Sequence, residues 1–409
     1  MNKPELLAPA GNLKKLQYAL EFGADAVYCG IPDFSLRVRI NQFDLKSLKV
    51  GIDYAHQLGK KVYVTTNIFA HNKHLEKLEK HLKLLKTLKP DALIVSDPGV
   101  IKLAQKICPK IEIHLSTQVN CTNWQAAKFW YEQGVKRIIL GREVTLKEIK
   151  EIHKKVPKVQ LEVFVHGAMC MSYSGRCLLS KYYTNRSANL GDCTQPCRWQ
   201  FRHFIGEVTR PDDLLEIEED DRGTYIMNSR DLCLIEYLDQ LKKAGVMSFK
   251  IEGRAKSIYY LANTVKVYRE VIDAKKTIKN FKPFIEELKK TQNRGYTKGF
   301  LFGKEEVEQE VNKSHDYCPW EFCGEVIDYK NGQAKVLVHN QFKVRDTLEL
   351  IPPCGNNFEY RIKNIEDKKY KKMEEAHGGQ ETIVYLDMKD AVAPMTLLRR
   401  RLSKKALKV

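Results

Sequence analysis

Short apolar runs alternate along the first 250 residues with longer segments whose apolar residues recur at helical spacing, as in residues 13–20. Eight of the runs have the length and composition of strands. They cover residues 5–9, 26–29, 61–65, 92–95, 111–115, 137–140, 161–165 and 248–251. Because they are continuously apolar rather than alternating, they predict parallel strands that are buried on both faces.

The order of these elements predicts the fold class. Several of the intervening helices end at a glycine just before the next run, namely Gly23, Gly59, Gly134 and Gly245. This strand–helix repeat predicts an α/β protein with a TIM-like (β/α)₈ barrel, and an open doubly wound sheet is the alternative. About eighty residues separate the seventh and eighth runs, so we predict a cysteine-rich insertion at about residues 167–247.

The pattern changes near residue 320. The segments EFCGEVIDY, QAKVLVHN, DTLELIPP, ETIVYLDM and APMTLLRR are short, with alternating apolar and polar positions, and predict a small antiparallel β-barrel. We therefore predict three parts: the barrel with its insertion in residues 1–280, a helical and aromatic connection in 281–319, and the β-barrel domain in 320–409.

The chain is strongly basic. Its 69 lysines and arginines exceed its 51 acidic residues, which gives a net charge of +18. Such a charge indicates an anionic partner, with nucleic acid as the leading candidate, because cationic side chains release counterions from phosphates. Lysines that merely cover solvated helix faces are the alternative. The first residues, MNKPELLAPAGNL, contain no apolar run of the length that a signal peptide needs, and no stretch approaches about 20 apolar residues. We therefore expect a cytoplasmic protein with no membrane partner.

Five of the eleven cysteines lie close together in the sequence. They are Cys170, Cys177, Cys193, Cys197 and Cys233. In a reducing compartment such clustering indicates metal or redox chemistry rather than a disulfide framework. Only Cys193 and Cys197 have a spacing that suits a zinc knuckle, whereas the wide gaps elsewhere favour an iron–sulfur cluster. The spacing leaves three interpretations open: an iron–sulfur cluster, zinc, and free structural thiols.

Barrel geometry predicts where the chemistry occurs, because active sites in this fold lie at the C-terminal ends of the strands. The candidates there include Arg142, His166, Glu252 and Arg254, with Asn67 and Gln118 as further polar residues. We place Cys170 on the same face. Cys233 is predicted in the first turn of a helix capped by Ser229 or Asp231, where the helix dipole favours a thiolate.

Each candidate role has a structural alternative. His166 either donates a proton, binds substrate or orients a cysteine, or it is a hydrogen-bonded structural residue. Arg142 or Arg254 either holds a carboxylate of an anionic small molecule in bidentate fashion or pairs with Glu252 to brace the barrel rim.

Five motifs carry a resemblance to a known family: ELLAPAGN, HGAMCMSYSGRCLLS, GDCTQPCRW, NSRDLC and FKIEGR. On these residues the sequence resembles the U32 "peptidase" family over nearly its whole length, in the branch of the tRNA 5-hydroxyuridine hydroxylases. The resemblance implies O₂-independent hydroxylation of tRNA wobble uridine 34 to 5-hydroxyuridine, with prephenate as the co-substrate that donates the hydroxyl group. It also implies the anticodon arm of tRNA as a partner, and a paralogous protein as a further partner to test for.

The cofactor implied by the resemblance is a 4Fe-4S cluster. The ligand pattern of the family falls on Cys170, Cys177, Cys193 and Cys233, and Cys197 is the alternative ligand. Other substrates stay open, namely an rRNA cytidine or a quinone precursor, as does a non-catalytic iron–sulfur protein that binds RNA. The name of the family also implies a peptidase or collagenase, but the chain contains no HExxH string.

Overall fold

The computed structural model describes residues 3–35, 41–169, 176–188, 191–199, 203–207, 210–217, 229–303, 316, 318–379 and 381–402. Its N-terminal part contains twelve strands in these residues. The strands are β1 Glu5–Pro9, β2 Ala26–Cys29, β3 Lys61–Thr66, β4 Ala92–Val95, β5 Glu112–Leu115, β6 Arg137–Ile139, β7 Gln160–Gly167, β8 His203–Glu207, β9 Arg210–Ile217, β10 Asp231–Cys233, β11 Val246–Ile251 and β12 Tyr296–Thr297.

Strands β1 to β7 and β11 form a closed parallel barrel. They pair in chain order, and β11 pairs with both β1 and β7, which joins the two ends of the sheet. The predicted (β/α)₈ barrel is therefore confirmed, and the alternative of an open sheet is wrong. Strands β8 and β9 form a separate antiparallel hairpin within the insertion.

Ten helices accompany the strands in the described residues. They are α1 Leu13–Glu21, α2 Leu45–Gln57, α3 Asn72–Leu88, α4 Pro98–Ile107, α5 Trp124–Glu132, α6 Leu146–Lys155, α7 Leu179–Thr184, α8 Leu238–Lys243, α9 Ile258–Asp273 and α10 Lys282–Leu288. Local sequence sets their ends: Asn12 caps α1 through the Lys15 amide, and Thr145 and Glu148 form a capping box on α6. The four predicted C-terminal glycines all have φ between +66° and +111°.

Cys233 lies in a strand, so the predicted helical position is wrong. Strand β7 continues past the barrel to Gly167, and β10 pairs antiparallel with this extension, Cys233 opposite His166 and Leu232 opposite Gly167. The free edge of β7 supplies hydrogen bonds that a local sequence pattern does not reveal. A 3-10 helix at Ile235–Tyr237 follows the strand, and the next α-helix, α8, begins at Leu238.

The C-terminal domain is a curled antiparallel sheet. Its strands are β13 Trp320–Lys330, β14 Gln333–Val338, β15 Phe342–Lys343, β16 Thr347–Ile351, β17 Phe358–Arg361, β18 Ile365–Glu366, β19 Lys372–Met373, β20 Glu375–Ala376, β21 Ile383–Asp387 and β22 Leu397–Arg401. Eight of them pair in the order β17-β16-β22-β13-β14-β21-β18-β19 around a core that includes Val336, Phe342 and Leu350. The predicted small antiparallel β-domain is confirmed, whereas the exact domain limits stay a prediction.

Helix α9 lies between the barrel and the C-terminal domain. Tyr259 stacks on Phe322 with ring centroids 5.5 Å apart, and Lys266 Nζ donates to Pro352 O at 2.8 Å. Arg399 is fully buried and its Nη2 lies 2.6 Å from a carboxylate oxygen of Glu287. Within the described residues, no helix has the length and apolar character needed to cross a membrane.

Candidate active site at the strand-end face

Arg254 is held rigidly where strand β11 ends. Its side chain is buried, and Nη1 lies 2.9 Å from Ser35 Oγ and 3.4 Å from both Asn41 Oδ1 and Thr65 Oγ1. Gly30 makes this packing possible, since a Cβ there would come within 2.2 Å of Thr65 Oγ1. The structure therefore fixes one cationic side chain at the face formed by the C-terminal ends of the barrel strands, which we call the strand-end face.

Arg142 and Glu252 lie next to each other on this face. Arg142 Nη2 is 4.0 Å from Glu252 Oε2, and its guanidinium carbon lies 3.8 Å from the centroid of the Phe164 ring. Glu252 Oε2 also accepts a hydrogen bond from Tyr28 at 3.2 Å. The rim pair that was one of the two predicted alternatives is thus present, at a distance that is long for an ion pair.

A second buried ion pair lies deeper in the barrel. Lys250 Nζ is 2.8 Å from Glu162 Oε1 and 4.3 Å from the centroid of the Tyr28 ring. Burial alone would raise the pKa of Glu162, but Lys250 and Arg137 beside it lower the pKa below its ordinary value. The floor beneath the strand ends is therefore charged but internally compensated.

Asn67 and Gln118 meet across the barrel mouth. Gln118 Oε1 accepts hydrogen bonds from Asn67 Nδ2 at 2.6 Å and from Ser116 Oγ at 2.9 Å. The Gln118 amide nitrogen is buried, and it has no hydrogen-bond partner among the residues that the structure describes. Buried donors normally have an acceptor, so this group is suited to binding an oxygen atom of a ligand.

His166 is enclosed by three tyrosine rings. Its ring centroid lies 5.9 Å from that of Tyr260, 5.4 Å from Tyr268 and 5.5 Å from Tyr296. Burial lowers the pKa of His166 to about 4, so the imidazole is neutral near pH 7. Of the predicted roles, donation of a proton from an imidazolium is the one this environment disfavours.

These tyrosines were missed in the sequence. Tyr260 and Tyr268 belong to α9, and Tyr260 OH donates to Glu252 O at 3.0 Å while Tyr268 OH donates to Val165 O at 2.8 Å. Their spacing of eight residues places both near the inner stripe of a helix, which is the signal that was available. Their contact with His166, however, depends on long-range packing.

The cysteines are only partly brought together. Cys233 is buried, with Sγ 3.8 Å from Tyr268 OH, and burial raises the pKa of its thiol to about 11. Cys177, Cys193 and Cys197 are half-buried in the insertion, and Ser180 Oγ lies 3.6 Å from Cys193 Sγ. Cys170 lies outside the described residues.

The donor set nevertheless fits the expected cofactor chemically. Cys177, Cys193 and Cys233 are free thiols. They come from separate segments of the chain, the insertion and strand β10, as thiolate ligands of an iron–sulfur cluster do. No three His, Cys, Asp or Glu side chains in those ranges are close enough to share a metal ion. Cys177, Cys193 and Cys233 are therefore not gathered around a single point in this structure.

These features define a (β/α)₈-barrel protein whose strand-end face is bordered by a thiol-bearing insertion. The chain belongs to peptidase family U32. Residues 11–311 match the model of that family, and residues 319–399 match the model of the peptidase family U32 C-terminal domain.

Curated relatives extend this similarity over the whole chain. The sequence is 42% identical to tRNA hydroxylation protein P of Escherichia coli, with 98% of each chain covered. It is 38% identical to tRNA hydroxylation protein P1 of Bacillus subtilis, covering 97% of this chain and 95% of that one. A 23S rRNA 5-hydroxycytidine synthase of Escherichia coli is 37% identical over 66% of this chain and 39% of its own length.

Proposed function

We propose that the protein hydroxylates RNA, and that its substrate is wobble uridine 34 of tRNA, which becomes 5-hydroxyuridine without O₂. The observation that carries this proposal is the 42% identity to a tRNA hydroxylation protein over 98% of both chains. The rRNA 5-hydroxycytidine synthase among the relatives supports C5 of a pyrimidine as the reacting atom. The net charge of +18 suits a tRNA partner, and we expect the protein to act in the cytoplasm.

The strand-end face suits an anionic co-substrate. The buried guanidinium of Arg254 is fixed there, Arg142 lies nearby, and the Gln118 amide adds a buried donor. Two guanidinium groups can bind carboxylates in bidentate fashion, and a dicarboxylate such as prephenate offers two of them. We therefore assign Arg254 and Arg142 to binding the hydroxyl donor.

Glu252 would position Arg142, and the neutral His166 would position neighbouring groups rather than donate a proton as an imidazolium. Glu252 accepts a hydrogen bond from the Tyr28 hydroxyl and faces Arg142. This arrangement would keep the Arg142 guanidinium over the Phe164 ring. The neutral His166 lies opposite Cys233 and against Tyr268. In this arrangement His166 would orient the β10 strand and hydrogen-bond a bound molecule.

Cys170, Cys177, Cys193 and Cys233 would hold a 4Fe-4S cluster, with Cys197 as the alternative ligand. When bound, such a cluster would relay single electrons. Conversion of C5–H to C5–OH is a two-electron oxidation of the base, so the hydroxyl donor would be reduced by two electrons as it gives up its hydroxyl group. The thiols occur in the insertion and on β10, next to the strand-end face. The target base must leave its stack to reach this face, because a stacked base hides its reacting atom.

The test is tRNA mass spectrometry in a strain that lacks the gene. Plasmids carry the wild-type gene, Cys233→Ala, or Cys323→Ala, in which another buried thiol, in the C-terminal domain, is removed. We expect the wild type and Cys323→Ala to restore the 5-hydroxyuridine-derived nucleosides and Cys233→Ala to leave them absent. Unchanged tRNA modification in the deletion strain would overturn the proposed function.

The cofactor is tested separately on protein purified without oxygen. We expect a brown protein that absorbs near 400 nm and holds about four irons and four sulfides per chain. Cys233→Ala should lose this content and Cys323→Ala should keep it. A colourless wild-type protein that contains zinc would disprove the cluster assignment.

A further inference from the structure

Three exposed aromatic side chains lie together on the cysteine-bearing insertion. The exposed fractions are 81% for Tyr182, 45% for Tyr183 and 40% for Trp199. The ring centroids of Tyr182 and Tyr183 are 5.0 Å apart, and those of Tyr183 and Trp199 are 5.9 Å apart. Single exposed aromatics are ordinary, but a connected set of three marks a binding surface. We call Tyr182, Tyr183 and Trp199 the aromatic cluster.

The charges around the aromatic cluster indicate the kind of partner. The described residues 176–188 and 191–199 contain four cationic side chains, Arg176, Lys181, Arg186 and Arg198, and one acidic one, Asp192, a net charge of +3. Exposed rings interleaved with cations are typical of surfaces that bind single-stranded nucleic acid, where rings stack on bases and cations contact phosphates.

The segment that carries the aromatic cluster contacts the strand-end face through Arg176. Arg176 Nε lies 3.3 Å from Asn120 Oδ1, and its guanidinium carbon is 5.9 Å from the centroid of the Phe69 ring. Asn120 follows β5 and Phe69 follows β3, so both mark strand ends of the barrel. The segment that carries the aromatic cluster therefore meets the barrel on the same side as Arg254 and His166.

The same short segment carries the insertion thiols. Cys177 lies just before α7, which contains Tyr182 and Tyr183, and Cys197 lies two residues before Trp199. The Ser180 hydroxyl links residues 176–188 to residues 191–199. Its Oγ contacts Cys193 Sγ at 3.6 Å and accepts a hydrogen bond from the Thr194 amide at 3.0 Å. A nucleotide stacked on the aromatic cluster would thus lie beside the proposed reaction centre.

We propose that the aromatic cluster is a base-stacking platform for the unpaired loop nucleotides next to the target uridine. This inference rests on the proposed function, because it takes the RNA loop as the ligand. Extruding one base from a loop removes its stacking on its neighbours. Aromatic rings that stack on those neighbours would stabilise the opened loop and keep the target base at the barrel mouth.

The test measures binding of a fluorescently labelled anticodon stem-loop to the full chain by anisotropy, with the protein purified without oxygen. Tyr182→Ala and Trp199→Ala remove a ring, whereas Tyr182→Phe keeps it. Phe129→Ala is the matched control, because Phe129 is 52% exposed on α5, far along the chain from the insertion. We expect each ring deletion to raise the Kd about ten-fold, and Tyr182→Phe and Phe129→Ala to leave it within about two-fold.

The outcomes separate this inference from the proposed function. A wild-type protein that binds the stem-loop with the same Kd as Tyr182→Ala and Trp199→Ala would overturn the stacking platform alone. A wild-type protein that does not bind the stem-loop would overturn both. Circular dichroism melting curves that match the wild type exclude loss of folding as the cause of weaker binding. Loss of binding in Tyr182→Phe as well as Tyr182→Ala would point to the hydroxyl group and contradict stacking.

Discussion

The two ends of the barrel interior differ in how many of their buried polar groups have a hydrogen-bonding or charged partner. Toward the N-terminal ends of the strands, Arg137 bridges Glu5 and Glu162, with Nη1 at 2.5 and 3.2 Å, and Lys250 completes the network at 2.8 Å from Glu162. Tyr63 OH also donates to Glu5 at 2.6 Å. Each carboxylate of this network therefore faces a cation.

The strand-end half has more buried polar groups without a partner than the N-terminal half, where Nδ1 of His114 is such a group among the described residues. The side-chain nitrogens of Asn41 and Gln118 and the hydroxyl of Tyr296 are buried, and none has a hydrogen-bond partner in the described part of the chain. A leftover buried donor costs free energy of folding unless another molecule accepts its hydrogen bond. The comparison indicates that one end of the barrel serves stability and the other end serves binding, as in other (β/α)₈ barrels.

The largest effect is expected where the N-terminal network loses its central charge. Glu162→Gln leaves Lys250 and Arg137 buried beside a neutral amide, so we expect the free energy of unfolding to fall by about 3–5 kcal/mol. Urea unfolding followed by circular dichroism measures this.

The control is Glu76→Gln, which removes an exposed partner of Lys80 on α3. It should cost under about 0.5 kcal/mol, because exposed ion pairs contribute little. If Glu162→Gln lowered the free energy of unfolding no more than this control, the N-terminal ion-pair network would not stabilise the barrel.

A smaller effect, confined to acid pH, is expected at His114 in the same half of the barrel. Burial lowers the pKa of His114 below its ordinary value of 6.5, although a hydrogen bond to Glu112 opposes this. The folded state therefore favours the neutral imidazole. Its contribution to stability is full above about pH 6.5 and is lost as the pH falls below that value.

His114→Gln removes this titration, so we expect its urea midpoint to fall less than that of the wild type between pH 7 and pH 5. His377→Gln alters a side chain that is 61% exposed, and it should follow the wild-type curve. Parallel curves for the wild type and His114→Gln would contradict the assigned direction of the shift.

The barrel was predictable from sequence because its signals are local. Each strand is a continuous apolar run, and the helices end at glycines such as Gly23 and Gly245, whose positive φ suits that residue. The candidate residues Arg254 and Glu252 were also found locally, because they directly follow a strand. Strand ends in this fold converge on one face, so position in the sequence was enough.

The rest of the site depends on contacts between distant segments. The strand around Cys233 exists because β7 extends past the barrel and offers a free edge, and no pattern near residue 233 encodes this. The tyrosine cage of His166 likewise joins residues that lie about one hundred positions apart. The insertion thiols were recognised by their motif, and Cys170 lies outside the residues in which their arrangement is described.

The smallest effect on stability, and a sharp test of the comparison, is expected at Tyr296. Its hydroxyl is buried without a partner in the described residues, so Tyr296→Phe should change the free energy of unfolding by no more than about 0.5 kcal/mol. The matched variant Tyr268→Phe removes a hydroxyl that donates to Val165 O at 2.8 Å, and it should cost about 1 kcal/mol.

If the Tyr296 hydroxyl serves binding at the strand-end face, Tyr296→Phe should still reduce tRNA hydroxylation about ten-fold, the loss expected for one hydrogen bond to a bound group. Full activity in Tyr296→Phe would show that this leftover donor has no functional role, and a large loss of stability would show that it is already satisfied within the fold.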